Sequence, residues 1–205
     1  MLREMLFLNS SSALGRLCCT MVPSGSHLVG ASAKRTFYHW LNKIWNNVDT
    51  ERIKAVGPDR ACAEWLMKNG ASIKWASEKD YVTDYNKLAA AGEKQYIEEI
   101  DASHSSIMGY GFPYFEGCNH IKFIRLHKCH NIDDDALASL AILKRSLKHL
   151  QVSSCGNVTD KGITSLVALE NLNTLILFNL PGVKDKEKTV NFLKAGLKSC
   201  MIDYK

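Results

Sequence analysis

Residues Leu147–Leu166 read LKHLQVSSCGNVTDKGITSL. The first half alternates apolar and polar residues through Leu150 and Val152, as a half-buried strand does. The second half sets Ile163 and Leu166 at helical spacing, behind Thr159 and Asp160, residue types that cap helix starts. Between the halves stand Cys155 and Asn157. A cysteine and an asparagine at the bend between two such short elements need a physical reason, and the flanking sequence supplies one.

Three further segments align with this one: IEEIDASHSSIM from Ile97, IKFIRLHKCHNIDDDALASL from Ile121 and LNTLILFNLPGVKDKEKTVNFL from Leu172. The four starts are 24, 26 and 25 residues apart. Apolar residues fill the first, fourth and sixth positions of each: Ile97/Ile100/Ala102, Ile121/Ile124/Leu126, Leu147/Leu150/Val152 and Leu172/Leu175/Leu177. Ser105, Cys129, Cys155 and Leu180 then share one position, and Ile107, Asn131, Asn157 and Gly182 the next but one. Helically spaced pairs follow in the last three: Leu137/Leu140, Ile163/Leu166 and Val190/Leu193. This is the leucine-rich-repeat pattern, whose period is roughly 20–29 residues. The expected fold class is therefore α/β, a short solenoid of about four cysteine-type repeats, each burying its edges only by stacking on its neighbours. The cysteine is expected inside, as a small hydrophobe and not a nucleophile. The asparagine is expected to bond backbone groups that the bend leaves unpaired.

A stack this short needs caps at its ends. Residues 37–95 read as a helical head that caps the first repeat, and 96–205 as the repeats and a C-terminal cap. Trp40, Leu41, Ile44, Trp45 and Val48 form a stripe at helical spacing, expected to be core together with Trp65. In GPDRACAEWLMKNG, Pro58 suits a first helical turn and Gly70 a left-handed stop. The stretch EKDYVTDYNKLAAAGEKQY follows as a polar connector. Residues 1–36 carry Arg3, Arg16, Lys34 and Arg35 against Glu4, with many Ser and Ala, the composition of a mitochondrial transit peptide. Three of the five net positive charges of the chain lie there, and no basic run marks a nucleic-acid surface, so nucleic acid is not expected as a partner. No window approaches the roughly eighteen apolar residues of a membrane-spanning helix.

The seven cysteines show no C-x-x-C spacing, which argues against a zinc ribbon, a thioredoxin-like motif or a disulfide framework. His127 and His130 flank Cys129, but a zinc site needs about four converging ligands. The triplet Asp133, Asp134 and Asp135 opens a helix, where the positive helix end favours acids. No nucleophile elbow, P-loop or zinc-protease string occurs, and the chain is not expected to be an enzyme.

The strings WLNKIWNNVDTERIKAVGPDRACAEWLMKNGASIKW, DYNKL, IDAS, GCNHIKFIRLHKCHNIDDDAL, SSCGNVTDKGI and NLPGVKDKE closely resemble the mitochondrial ATP synthase coupling factor B, or subunit s, family, also named distal membrane-arm assembly component 2-like. The resemblance runs from about Phe37 to the C-terminus. It implies a matrix-side protein, peripheral on the inner membrane, that associates with the membrane-sector side of the ATP synthase and supports coupling by blocking a proton leak. It further implies Mg²⁺ held between head and first repeat, at Gly70 and Ser103. The family often has two cysteines in the string matching RLHKCH; here His127 replaces the first, which puts a vicinal dithiol in doubt. Two alternatives stand beside this reading: assembly of the complex I distal membrane arm, the role of a relative, and an F-box-like substrate-recognition module. Self-association is left open.

Overall fold

The computed structural model describes residues 40–88 and 95–205. The expected transit segment, 1–36, and Phe37 lie outside these, as do residues 89–94 of the polar connector. The described elements are α1 (Thr50–Val56), α2 (Pro58–Lys68), β1 (Ser72–Trp75), β2 (Ile97–Asp101), β3 (Phe123–His127), α3 (Asp134–Ser139), β4 (His149–Ser153), α4 (Asp160–Ser165), β5 (Thr174–Phe178), α5 (Lys186–Gly196) and β6 (Met201–Tyr204). The strands form one mixed sheet in chain order. β1 runs antiparallel to β2, and every later neighbour is parallel.

The pairing follows the sequence period. Ile100, Ile124, Leu150, Leu175 and Ile202 stand side by side across five strands, and Leu126, Val152, Leu177 and Tyr204 form the parallel row. Apart from the partly buried Ile202 and Tyr204 at the last strand, these side chains are buried and face the helices. Leu137, Leu140, Ile163, Leu166 and Leu193 close the core from behind. In α5 the inner slot before Leu193 belongs to Thr189 and not to the expected Val190, which is only partly buried. The Thr189 hydroxyl donates to Asp160 Oδ1 at 3.0 Å, so a polar residue is satisfied there.

β3, β4 and β5 are each followed directly by a residue in the left-handed region, Lys128, Ser154 and Asn179, with φ of 55°, 53° and 50°, and β2 three residues on by His104 at 58°. Such a backbone costs a non-glycine residue roughly 1 kcal/mol or more. The N–H groups of His104, Lys128 and Ser154 donate to the carbonyls of His127, Ser153 and Phe178 at 2.8, 2.9 and 3.1 Å. The ladder is thereby carried one residue past β3 and β4 and three past β2, which offsets the strain.

The opening puzzle resolves at the next position. Cys129 and Cys155 are fully buried, and Ser105 and Leu180 take the same slot at 5% and 6% exposure. The Cys129 thiol donates to Ala102 O at 2.9 Å and that of Cys155 to Leu126 O at 3.6 Å, each reaching back one unit. Asn131 and Asn157 do the same with their amides, donating to Ser106 O at 3.3 Å and His130 O at 2.6 Å. The aspartates are divided among three tasks. Asp133 caps α3 by accepting from Ala136 N, and Asp135 pairs with Lys161. Asp134 accepts from the N–H and hydroxyl of Thr159 at 2.7 and 2.6 Å, a stitch to the following unit.

The head is organised by a buried amide. Asn46 Oδ1 accepts from Trp65 Nε1 at 3.1 Å and Met108 N at 2.8 Å, while its Nδ2 donates to Asn69 Oδ1 at 3.0 Å and Ser106 O at 3.2 Å. Trp65 is buried, stacked on Tyr114 at 5.3 Å and edge-on to Phe115 at 5.5 Å. Pro58 begins α2, and Gly70 at φ 83° follows its end, a conformation open to glycine at little cost. The expectation that all the head tryptophans are core is corrected for Trp40 and Trp45, which are 55% and 48% exposed beside Ile44 at 49%. Residues 40–45 are helical, but α2 and the aromatic 3₁₀ segment Gly109–Phe115 already fill the core through Trp65. No described helix is long and apolar enough to cross a membrane.

Because Asn46 satisfies two buried donors at once, Asn46→Ala should lower the unfolding free energy by about 3 kcal/mol or more. Urea denaturation measures this, and a loss below about 1 kcal/mol would show that the hub does not hold the head.

Candidate functional site

Strand alternation that buries one face of the sheet leaves the other open. One cross-strand row on that face runs Lys74, Glu99, Phe123, His149, Thr174, Met201, and the next runs Ser72, Asp101, Arg125, Gln151, Ile176, Asp203. His127, Ser153 and Phe178 begin a third.

The rows are wired into a polar network. Lys74 Nζ bonds Glu99, whose other oxygen accepts from Tyr81 OH at 2.6 Å. Asp101 Oδ1 accepts from the N–H and hydroxyl of Ser103 at 3.0 and 2.5 Å, and Oδ2 from Arg125 Nη1 at 2.7 Å. Arg125 Nε reaches Gln151 at 3.3 Å, Gln151 Nε2 reaches Ser153 Oγ at 3.2 Å, and His127 Nδ1 lies 2.9 Å from that hydroxyl. Phe123 lies under the Arg125 guanidinium, 5.4 Å away. Toward β6 the face turns apolar through Ile176, Phe178 and Met201, the last 67% exposed. A 250 Å³ depression opens at the strand starts between Glu98, Glu99, Lys122, Phe123, Lys148 and His149.

Burial disfavours the charge on Asp101, but the Ser103 bonds and Arg125 outweigh it and hold the carboxyl below its usual range. Glu99 is lowered in the same way, burial being overcome by Lys74 and Tyr81. Burial, with Lys128 and His104 nearby, lowers His127, which keeps the imidazole neutral at pH 7. The charges of the face are thus paired and fixed. Such an arrangement suits recognition of a complementary surface more than proton transfer.

The cysteines take no part. The adjoining Cys155 thiol and burial push the Cys129 thiol well up, the opposite of an activated nucleophile. Cys155, drawn down to about 7 by that neighbour, is fully buried away from the open face. His127 is on the open face while Cys129 points inside, so the two are not brought together as ligands. Among the described residues no group of three or more His, Cys, Asp or Glu could hold a metal. Gly70 follows the end of α2 and Ser103 follows β2, each in a turn beyond the paired strands. Ser106 N donates to Asn69 O at 2.9 Å across the same junction.

Sequence reasoning passed over Asp101, Arg125 and Gln151, although they occupy the outward strand positions that alternation marks. Tyr81 lay in the connector and gave no signal, because only the bridge of Val82 to Ile73 brings it to the sheet.

Asp101 and Glu99 have depressed folded-state pKa values, and so has Asp160, drawn down to about 2 by the N–H groups of Lys184 and Asp185. Their stabilisation is present above the unfolded carboxylate values, roughly 4, and is lost as pH falls through the folded ones. The urea midpoint should therefore fall as the pH drops from about 4 toward about 2, and fall less in Asp160→Asn. A midpoint that rises on acidification over that window would contradict the assignment.

No protein-family model matches the chain. It is 44% identical over 169 residues to ATP synthase subunit s, mitochondrial, of Homo sapiens, across 80% of this chain and 84% of the relative. The Bos taurus protein of the same name is 45% identical over the same shares, and that of Rattus norvegicus 43% identical over 75% of this chain and 78% of the relative. Identity at this level, over most of both sequences, places the chain in the mitochondrial ATP synthase subunit s family.

Proposed function

We propose that the chain is a non-enzymatic adaptor that associates with mitochondrial ATP synthase and supports coupling by blocking a proton leak at its membrane sector. The observation that carries the reading is the 44% identity to proteins named as subunits of that complex. The paired, preorganised charges of the sheet face support it, since they fit a protein partner. In this reading the stacked units are a leucine-rich-repeat solenoid, capped by the head at one end and by α5 and β6 at the other. Residues 1–36 direct the chain to the matrix, where it sits peripherally on the inner membrane. The partner is engaged by the open sheet face and by Trp40, Ile44 and Trp45 of the head. Half-exposed tryptophans are the side chains that most often dominate binding energy at interfaces.

Magnesium belongs to the same proposal, held by the backbone carbonyls of Gly70 and Ser103. Both residues lie in turns beside the Ser106–Asn69 bond that joins head and first turn, and carbonyl oxygen suits a hard cation. When bound, the ion would tie the head to the first strand–turn unit. Magnesium should then raise the melting temperature of the chelator-treated chain in a concentration-dependent way. A melting temperature indifferent to magnesium would remove the ion from the account.

Affinity purification of the tagged chain from mitochondria should recover ATP synthase subunits, and Trp40→Ala with Trp45→Ala should reduce recovery roughly tenfold or more. Recovery of complex I assembly intermediates without synthase subunits would overturn the reading.

A further inference from the structure

We propose that the helical side of the last three units carries a contact surface for an anionic phospholipid membrane, built on Ile142, Phe192, Lys144, Arg145, Lys194 and Lys198. The proposal deepens the peripheral-membrane part of the reading above and rests on it.

The repeat itself assembles the surface. Ile142, Val167 and Phe192 follow one another at 25 residues, the spacing between Leu147 and Leu172, and the first and last precede the buried Leu143 and Leu193. They lie in the 3₁₀ segments Leu140–Leu143 and Leu166–Ala168 and in α5, which stack in that order. Val167 packs against Gly196 of α5 so closely that a Cβ there would overlap its methyl group. Asn171 Nδ2 donates to Lys144 O and Arg145 O at 3.3 and 3.4 Å, which draws the next turn against those two bases.

Among the described residues, Ile142 and Phe192 remain 40% and 51% exposed. Lys144 and Arg145 follow Ile142, and Lys194 and Lys198 follow Phe192; all four are exposed, and none is ion-paired among the described residues. Glu170 is an exposed acid in the same segments, and Glu187 shares a depression with Lys194. Exposed apolar side chains ringed by bases are what a bilayer interface selects: the apolar groups enter the headgroup layer while the bases meet phosphates. A protein partner would instead call for a packed anchor and charges held in fixed geometry, as on the sheet face. Here the bases stand on flexible stems outside any ion pair among the described residues, which fits a fluid surface of anionic phosphates. Seating this side on the bilayer leaves the sheet face open to a protein.

The test is co-sedimentation of the purified full chain with phosphatidylcholine–cardiolipin vesicles and with pure phosphatidylcholine vesicles. Binding is expected to the first only, to weaken with salt, and to fall at least about tenfold in Lys144→Glu with Arg145→Glu. Phe192→Ser should weaken it independently, whereas Lys79→Glu, on an exposed loop of the head, should not. Unchanged circular dichroism confirms that each variant folds. Equal binding to both vesicle types, no binding to either, or full binding by the double reversal would overturn the proposal. Synthase capture without vesicle binding refutes this surface alone, and vesicle binding without synthase capture refutes the functional reading alone.

Discussion

In-register parallel pairing at a period near 25 residues is the constraint on which the rest of the molecule depends. Five-residue strands and six-residue helices have no stability of their own. Each unit becomes stable only when Ile124, Leu150 or Leu175 lies beside its counterpart, each such burial contributing about 2 kcal/mol. A slip of one residue would turn the whole apolar set outward and bring Arg125 and Gln151 into the core. The cysteine, asparagine and aspartate positions serve the same constraint, because each reaches back or forward one unit and leaves no turn to stand by itself.

The open sheet face is a by-product of that packing. Alternation that buries one row must expose the next, and successive units deliver Asp101, Arg125 and Gln151 to one line at strand spacing. Their charges are neutralised among themselves before any partner arrives, so little reorganisation is left for binding. The head is joined to this platform in two ways: β1 extends the sheet, and Asn46 ties the helical residues before α1 to the first turn. The half-exposed Trp40 and Trp45 therefore project from a fixed base.

Much of this was legible in the chain, for identifiable reasons. Ile121, Ile124 and Leu126 announce a buried strand by spacing alone, and Cys129 and Cys155 share a buried slot with Ser105 and Leu180. The left-handed stop at Gly70 was readable because few other residues adopt it at low cost. What escaped reading depends on contacts distant in sequence. The strand role of Ser72–Trp75 requires β2 as its partner, and Tyr81 reaches Glu99 only through the Val82 bridge. The amphipathic stripe at Trp40 and Trp45 resembled core because periodicity reports an apolar face and not what covers it. Of the site, the outward strand positions could be deduced, whereas the Asp101–Arg125–Gln151–Ser153 chain required knowing which units are adjacent.

The central claim, that the open sheet face is where the ATP synthase is met, is tested most directly by a photoreactive side chain placed at Gln151 in intact mitochondria. Gln151 lies mid-row on that face. The account predicts covalent adducts with ATP synthase subunits from this position and none from Ser139, on the helical side. Adducts from Gln151 only with complex I proteins, or synthase adducts from Ser139 alone, would contradict it.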